Sequence, residues 1–340
     1  MPPAVLALLV GAAILHAGWN ILLKTASDPL RTAGRGMLVG AGVLLPAGLI
    51  GWLAVGQPPI PTQAWLLALV SGILEAVYFA LLSGAYARGD LSLVYPIARG
   101  TAPILSVFVG IVFLGERLGP VGAVGVALLL AGILSLQRPW AVLGRSDALP
   151  RRAREAAWLA VATGISIACY SAVDRVGART IPPWLYATLI WTFTAIFLLG
   201  GIALADRQGR RGVRRALESA ATVTDTEAAD ATATLPGGDN SAGDEAAEVN
   251  GRSPGAAGTA GWGRAAVGGL VTVAAYMLVL VAYVFAPLSV VAPVRESAIV
   301  LVSGWGSFRL GEAASRRVGL TRLAAAAVIV VGAFLLAIEG

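Results

Sequence analysis

The chain has 340 residues, of which 57% are hydrophobic and 13% charged. Soluble domains carry about 25% charged residues, so a pair of water-soluble domains is excluded, and the apolar content excludes a chain disordered throughout. The 42 glycines follow no three-residue period, which excludes a collagen-like chain, and the net charge of +6 comes from Lys and Arg at the ends of apolar runs, not from a nucleic-acid-binding patch.

Ten apolar runs, each near the roughly 20 residues a membrane helix needs, are predicted as helices. They cover 3–24, 34–55, 63–86, 91–114, 119–137, 154–174, 183–205, 264–286, 288–309 and 319–338. Barrel strands would be shorter and alternating. The first run has no basic leader and is long for a signal peptide, so it is expected to be retained. It carries His16, Trp19 and Asn20, the first and last of these four apart on one helix face. Pro61 marks the start of the third run, where a missing N–H is harmless, and Pro120 and Pro183 do the same for the fifth and seventh.

The third run holds Glu75 near its middle, with Tyr78 close by. An ionisable group at that depth is costly, so Glu75 is the leading candidate for proton coupling or for recognition of a substrate amine. A structural network that neutralises it, for instance through Arg99, is the plain alternative. The fourth run carries Tyr95, Pro96, Arg99 and Pro103, and its two prolines each remove a helix hydrogen bond. Gly122, Gly125 and Gly132 fall on or near one face of the fifth run, a pattern that serves close helix packing within the protein or in a homodimer. In the sixth, Tyr170 precedes Asp174 by four residues, and Asp174 is expected near the helix end, toward an aqueous vestibule.

Residues 206–262 are rich in Ala, Gly, Thr, Asp and Glu, and are expected to form a disordered inserted loop. Lys and Arg concentrate in the connections after the odd-numbered helices, which places that loop inside and both termini outside. The eighth run carries Tyr276. The ninth carries Pro293 and Arg295, followed by Glu296. Neighbours on a helix point apart, so Glu296 is expected to serve a partner other than Arg295.

The two halves repeat one another. Ala85-Tyr86 recurs as Ala282-Tyr283, Leu91-Ser92 as Leu288-Ser289, and Pro96 as Pro293, all at an offset of 197. After a one-residue slip, Arg99 matches Arg295, and Leu114-Gly115-Glu116 matches Leu310-Gly311-Glu312. Five helices per half is an odd number, so the second half is expected to enter the membrane inverted, as in many secondary transporters. The expected fold class is an all-α integral membrane protein of ten transmembrane helices in two inverted five-helix repeats. The first repeat is read as 1–140 and the second as 141–205 with 263–340. Arg99 and Arg295, matched across the repeats, are candidate sites for a carboxylate or phosphate, which a guanidinium grips with two prongs. Glu116 and Glu312 are read as structural.

With a single cysteine, Cys169, and a single histidine, the chain offers no disulfide or metal cluster, and no cofactor is expected. Nucleotide-binding, zinc-hydrolase and nucleophile-elbow motifs do not occur, so it is not expected to be an enzyme.

His16-Ala17-Gly18-Trp19-Asn20 with Lys24, the stretch Asp90-Leu91-Ser92-Leu93-Val94-Tyr95-Pro96-Ile97-Ala98-Arg99-Gly100, and Gly115-Glu116-Arg117-Leu118 together resemble the drug/metabolite transporter superfamily, in particular its EamA-type members. The resemblance covers nearly the whole chain outside 206–262. It implies a secondary active transporter that exports small metabolites, such as amino acids or amphipathic compounds, by alternating access in the plasma (inner) membrane. The expected partners are a small-molecule substrate, the lipid bilayer and a coupling proton. An importer or exchanger of anionic, phosphorylated solutes and a non-transporting membrane scaffold are the rivals. The candidate substrate-binding or coupling residues are Glu75, Arg99, Arg295, Tyr78, Tyr95, Trp19, Asn20, His16, Tyr170 and Tyr276.

Overall fold

A computed structural model describes residues 2–24, 26–89, 91–137, 150–232, 256–296 and 316–339. Regular structure among them is helical: α1 (Pro3–Lys24), α2 (Pro29–Ala54), α3 (Thr62–Tyr86), α4 (Leu91–Val112), α5 (Pro120–Gln137), α6 (Arg151–Gly177), α7 (Pro183–Thr232), α8 (Ala256–Phe285), α9 (Leu288–Glu296) and α10 (Arg316–Glu339). The starts follow the expected chemistry. Pro61 is the N-cap of α3, and Pro120 and Pro183 open α5 and α7. The second helix begins earlier than its apolar run, at Pro29, because Asp28 caps it by accepting from the Arg31 backbone N–H.

Six helical stretches among the described residues are long and apolar enough to cross a membrane: Pro29–Ala54, Thr62–Tyr86, Leu93–Val112, Arg151–Gly177, Pro183–Gln208 and Gly261–Phe285. Three more are apolar but shorter, Pro3–Trp19, Pro120–Leu136 and Ala324–Leu336. Only the first nine residues of the ninth run are described, as α9. The segment expected to be a loop departs from that reading at both ends, since α7 continues to Thr232 and α8 starts at Ala256. Ala, Leu, Arg and Glu in 210–230 are good helix formers, and local propensity favours extending the helix there.

The chain divides into two compact units, Met1–Leu198 with Gly261–Gly340, and Leu199–Ala260. The first unit turns a soluble protein inside out. Leu45, Ile50, Phe113, Trp158 and Phe334 are exposed, whereas Glu75, Arg99, Asp174, Arg295 and Glu296 are buried. Apolar exterior and ionic interior are what a hydrocarbon surround selects, since lipid welcomes Leu and Phe and leaves charge only the protein interior. Five threonine hydroxyls are satisfied locally: Thr101, Thr163, Thr188, Thr192 and Thr272 each donate to the carbonyl four residues back.

Small residues set how closely helices approach. Gly125 of α5 and Gly332 of α10 face each other, and a Cβ on Gly332 would stand 2.7 Å from the Gly125 carbonyl oxygen and 2.9 Å from Leu129 N. Gly132, one of the three expected packing glycines, lies against Ala325 and Ile329 of α10. The glycine face of the fifth helix is thus used inside the protein. Between helices in lipid there is no water to expel, so close packing of this kind contributes to their attraction. Gly332→Val is expected to overpack the contact, costing about 1–3 kcal/mol. Thermal unfolding of the detergent-solubilised chain should show the lower midpoint, while Gly42→Val, at a position with open space around it, should not.

Candidate functional site

Seven helices converge on one cavity of the first unit. Its volume is about 40 Å³, room for a few waters or a small polar headgroup. Its walls include His16 and Trp19 from α1, Met37 from α2, Glu75, Tyr78 and Phe79 from α3, Tyr170 from α6, Trp191 from α7, Thr272 and Tyr276 from α8, and Arg295 from α9. The sequence places α1 to α3 in the first half and α6 to α9 in the second, so both halves build the wall.

Glycines make room for the aromatic lining. A Cβ on Gly268 would sit 2.8 Å from Trp19 Cε3, and one on Gly40 would sit 2.6 Å from Trp191 Cε3. Each ring therefore lies where the facing helix has no side chain. Edge-to-face contacts link the rings further, Tyr78 with Tyr170 at 6.0 Å and Trp191 with Tyr276 at 6.4 Å between centroids.

Two polar networks flank this lining. In the first, Glu75 accepts from the Thr194 hydroxyl at 2.9 Å. Asp174 accepts from Ser71 at 2.6 Å, from Tyr186 at 3.4 Å and from Tyr276. Asp174 lies in the last turn of α6, near the helix end as expected from sequence, but it does not face water. It is fully buried, with three hydroxyls from α3, α7 and α8 converging on its carboxyl. Hydroxyls solvate a carboxylate at depth, and Glu75 lies in the electrostatic reach of this group.

The second network is ionic. Arg99 Nη1 lies 3.0 Å from both carboxylate oxygens of Glu296, and its Nη2 is 2.7 Å from His16 Nε2. Arginine only donates, so His16 accepts there. Glu296 also accepts from Arg295 Nη2 at 3.2 Å. Two readings change here. Arg99 pairs with Glu296, not with Glu75. Glu296 does serve a partner on another helix, yet it also meets its own neighbour, because the long arginine side chain can fold back across the helix surface.

Of the ten candidate residues, His16, Trp19, Glu75, Tyr78, Tyr170, Tyr276 and Arg295 line the cavity. Arg99 lies one layer back, reaching the lining through His16, with its guanidinium carbon 5.9 Å from the Tyr95 ring centre. The Asn20 side chain lies outside the described residues. Sequence reasoning missed Trp191, Met37, Phe79, Thr194 and Thr272. Nothing separates them from packing residues on their own apolar helices. Asp174 was noticed, but its burial was not foreseen; an acid at the far end of a long apolar stretch was the available signal.

Glu116 has a different task. Its two oxygens accept from the backbone N–H groups of Leu288 and Ser289 at 2.6 and 2.9 Å, and Arg175 Nε lies 3.4 Å away. It caps the start of α9, whose first N–H groups lack helical partners. The preceding Gly115 has φ +64°, a left-handed turn that suits glycine. Its repeat counterpart, Glu312, lies outside the described residues.

With this geometry in view, three likenesses fall into place. The model of the EamA-like transporter family matches residues 3–137. A Sinorhizobium sp protein, described as an uncharacterized transporter in the cobO 3′ region, is 32% identical over 77 residues, 23% of this chain and 54% of that protein. The chain therefore spans about half the length of that curated relative. A solved crystal structure shares the fold at TM-score 0.62 and 16% identity, over 100% of this chain and 99% of the other. Residues 3–137 are thus similar to the EamA-like transporter family. That family is described as one of transporters, and the six long apolar helical stretches are consistent with a multi-pass membrane protein.

Asp174→Ala is expected to strand three buried hydroxyls and lower stability by about 1–3 kcal/mol. Asp174→Asn keeps an acceptor and should cost less. Chemical unfolding of both variants in the same detergent checks the order.

Proposed function

We propose that the chain is a secondary active transporter of ten membrane helices in two inverted five-helix repeats. It exports small amphipathic metabolites, amino acids among them, across the plasma membrane by alternating access. The single observation that carries this reading is the cavity itself, walled by helices of both halves and holding Glu75 and Arg295 among aromatic rings. Its apolar walls with a few polar groups have the chemistry that orients an organic solute, and the cavity must widen during the proposed cycle to admit one. Buried ionisable groups are costly in a membrane, so Glu75 and Arg295 facing a cavity support a binding or coupling role over a scaffold.

In the proposed cycle Glu75 alternates between a proton and the amine of the solute, while Asp174 stays solvated by its hydroxyls. Arg295 holds the anionic group. No nucleotide-binding motif accompanies these residues, so a gradient or an exchanged solute drives the cycle. The second reading, exchange of phosphorylated solutes, draws support from the cavity-facing guanidinium of Arg295.

Mass spectrometry of the medium tests this reading. Cells with the wild-type chain should accumulate a metabolite outside that cells with Glu75→Gln, at matched membrane levels, do not. Equal profiles would contradict export through Glu75. Saturable uptake competed by phosphate esters and not by amino acids would favour the second reading.

A further inference from the structure

The two arginines matched across the sequence repeat are not equivalent in the fold. Both are buried, at 6% and 5% exposure for Arg99 and Arg295. Arg99 gives Nη1 to both oxygens of Glu296 and Nη2 to His16. Among the described residues it does not line the cavity. Arg295 does line it, and gives Glu296 a single nitrogen, Nη2, at 3.2 Å. Among the described residues its buried Nε has no hydrogen-bond partner. Arginine donors at this depth are expensive to leave unmade.

The charges can be counted. Two guanidiniums and one carboxylate leave the cluster at +1, and His16, accepting from Arg99, adds nothing. That one unit resides on the cavity-facing arginine. Without Glu296 the cluster would stand at +2, the charge and donor array that grips a phosphate or sulfate. Glu75, on the same cavity wall, adds a further penalty for a second negative charge.

We propose that Glu296 is the specificity-determining residue of the cavity: it neutralises Arg99 and leaves Arg295 a site for one singly charged anionic group, a carboxylate, while turning away dianionic, phosphorylated solutes. Glu296 is a positioning residue here, acting through the arginines. The proposal refines the substrate class of the transporter reading and rests on it for its biological sense. Its test measures binding alone, so loss of transport and loss of this charge selectivity are separate results.

The experiment uses the purified full chain in detergent micelles at constant ionic strength, with formate and sulfate as probes of one and two charges. Ligand-dependent shifts of the unfolding midpoint report binding. Wild type is expected to respond to formate and not to sulfate. Glu296→Gln should reverse the order, with apparent sulfate affinity raised about tenfold or more. The double variant Arg99→Gln/Glu296→Gln removes the pair together, returns the cluster to +1, and should restore the wild-type order. A purely structural Glu296 predicts no such restoration. Wild type blind to formate, Glu296→Gln with wild-type order, or a double variant that prefers sulfate would each overturn the proposal. If Glu296→Gln does not fold, Arg99→Gln decides. It leaves Glu296 to Arg295 alone, so the formate response should vanish, and a retained response overturns the proposal.

Discussion

The pairing of Arg99 with Glu296 is the contact on which the interior depends. It joins α4 to α9, two proline-bearing helices that the sequence repeat relates to each other. In hydrocarbon neither charge can stand alone, and breaking such a buried pair typically costs about 3–5 kcal/mol. The two helices must therefore bring both partners together, which in turn puts Arg295 on the cavity and His16 of α1 against Arg99. At its other end α9 is held by Glu116, which caps Leu288 and Ser289. The described part of α9 is thus held at its start by Glu116 and at Glu296 by Arg99.

Around this ionic frame the packing is the membrane's. Glycine lets α5 and α10 touch through their backbones, and glycine also opens the seats in which Trp19 and Trp191 lie. The same residue type therefore supplies helix cohesion and cavity shape. The hydroxyls on Asp174 and Glu75 do the work of water at a depth where none is assured. That leaves the cavity apolar over most of its wall, with an acidic side and a basic contact.

How far this was legible in the sequence differs by level. The helices were readable because twenty apolar residues in a row have few other solutions, and because Pro61, Pro120 and Pro183 mark their starts. Glu75 and the arginines stood out because charge in such runs is expensive. The partners did not. Arg99 meets Glu296 through a fold that crosses the two halves, and one-dimensional spacing carries no trace of that crossing. The one-residue slip that aligns Arg99 with Arg295 hid the fact that the strict offset of 197 points at Glu296 itself. Asp174 was placed in the last turn of its helix, but its burial was not legible, because the hydroxyls that receive it come from α3, α7 and α8. Trp191, Phe79 and Thr272 needed the packing of seven helices before they could be told from ordinary core.

The claim that both halves open one cavity to each side of the membrane in turn is most directly tested by chemical access to Thr272, which lines it. A cysteine placed there, in a chain with Cys169→Ser, would be exposed in sealed vesicles to a membrane-impermeant maleimide from outside or from the lumen. Alternating access predicts complete labelling from either face, slowed when the other face is held open by bound solute. Labelling from one face only, however long the exposure, would contradict it.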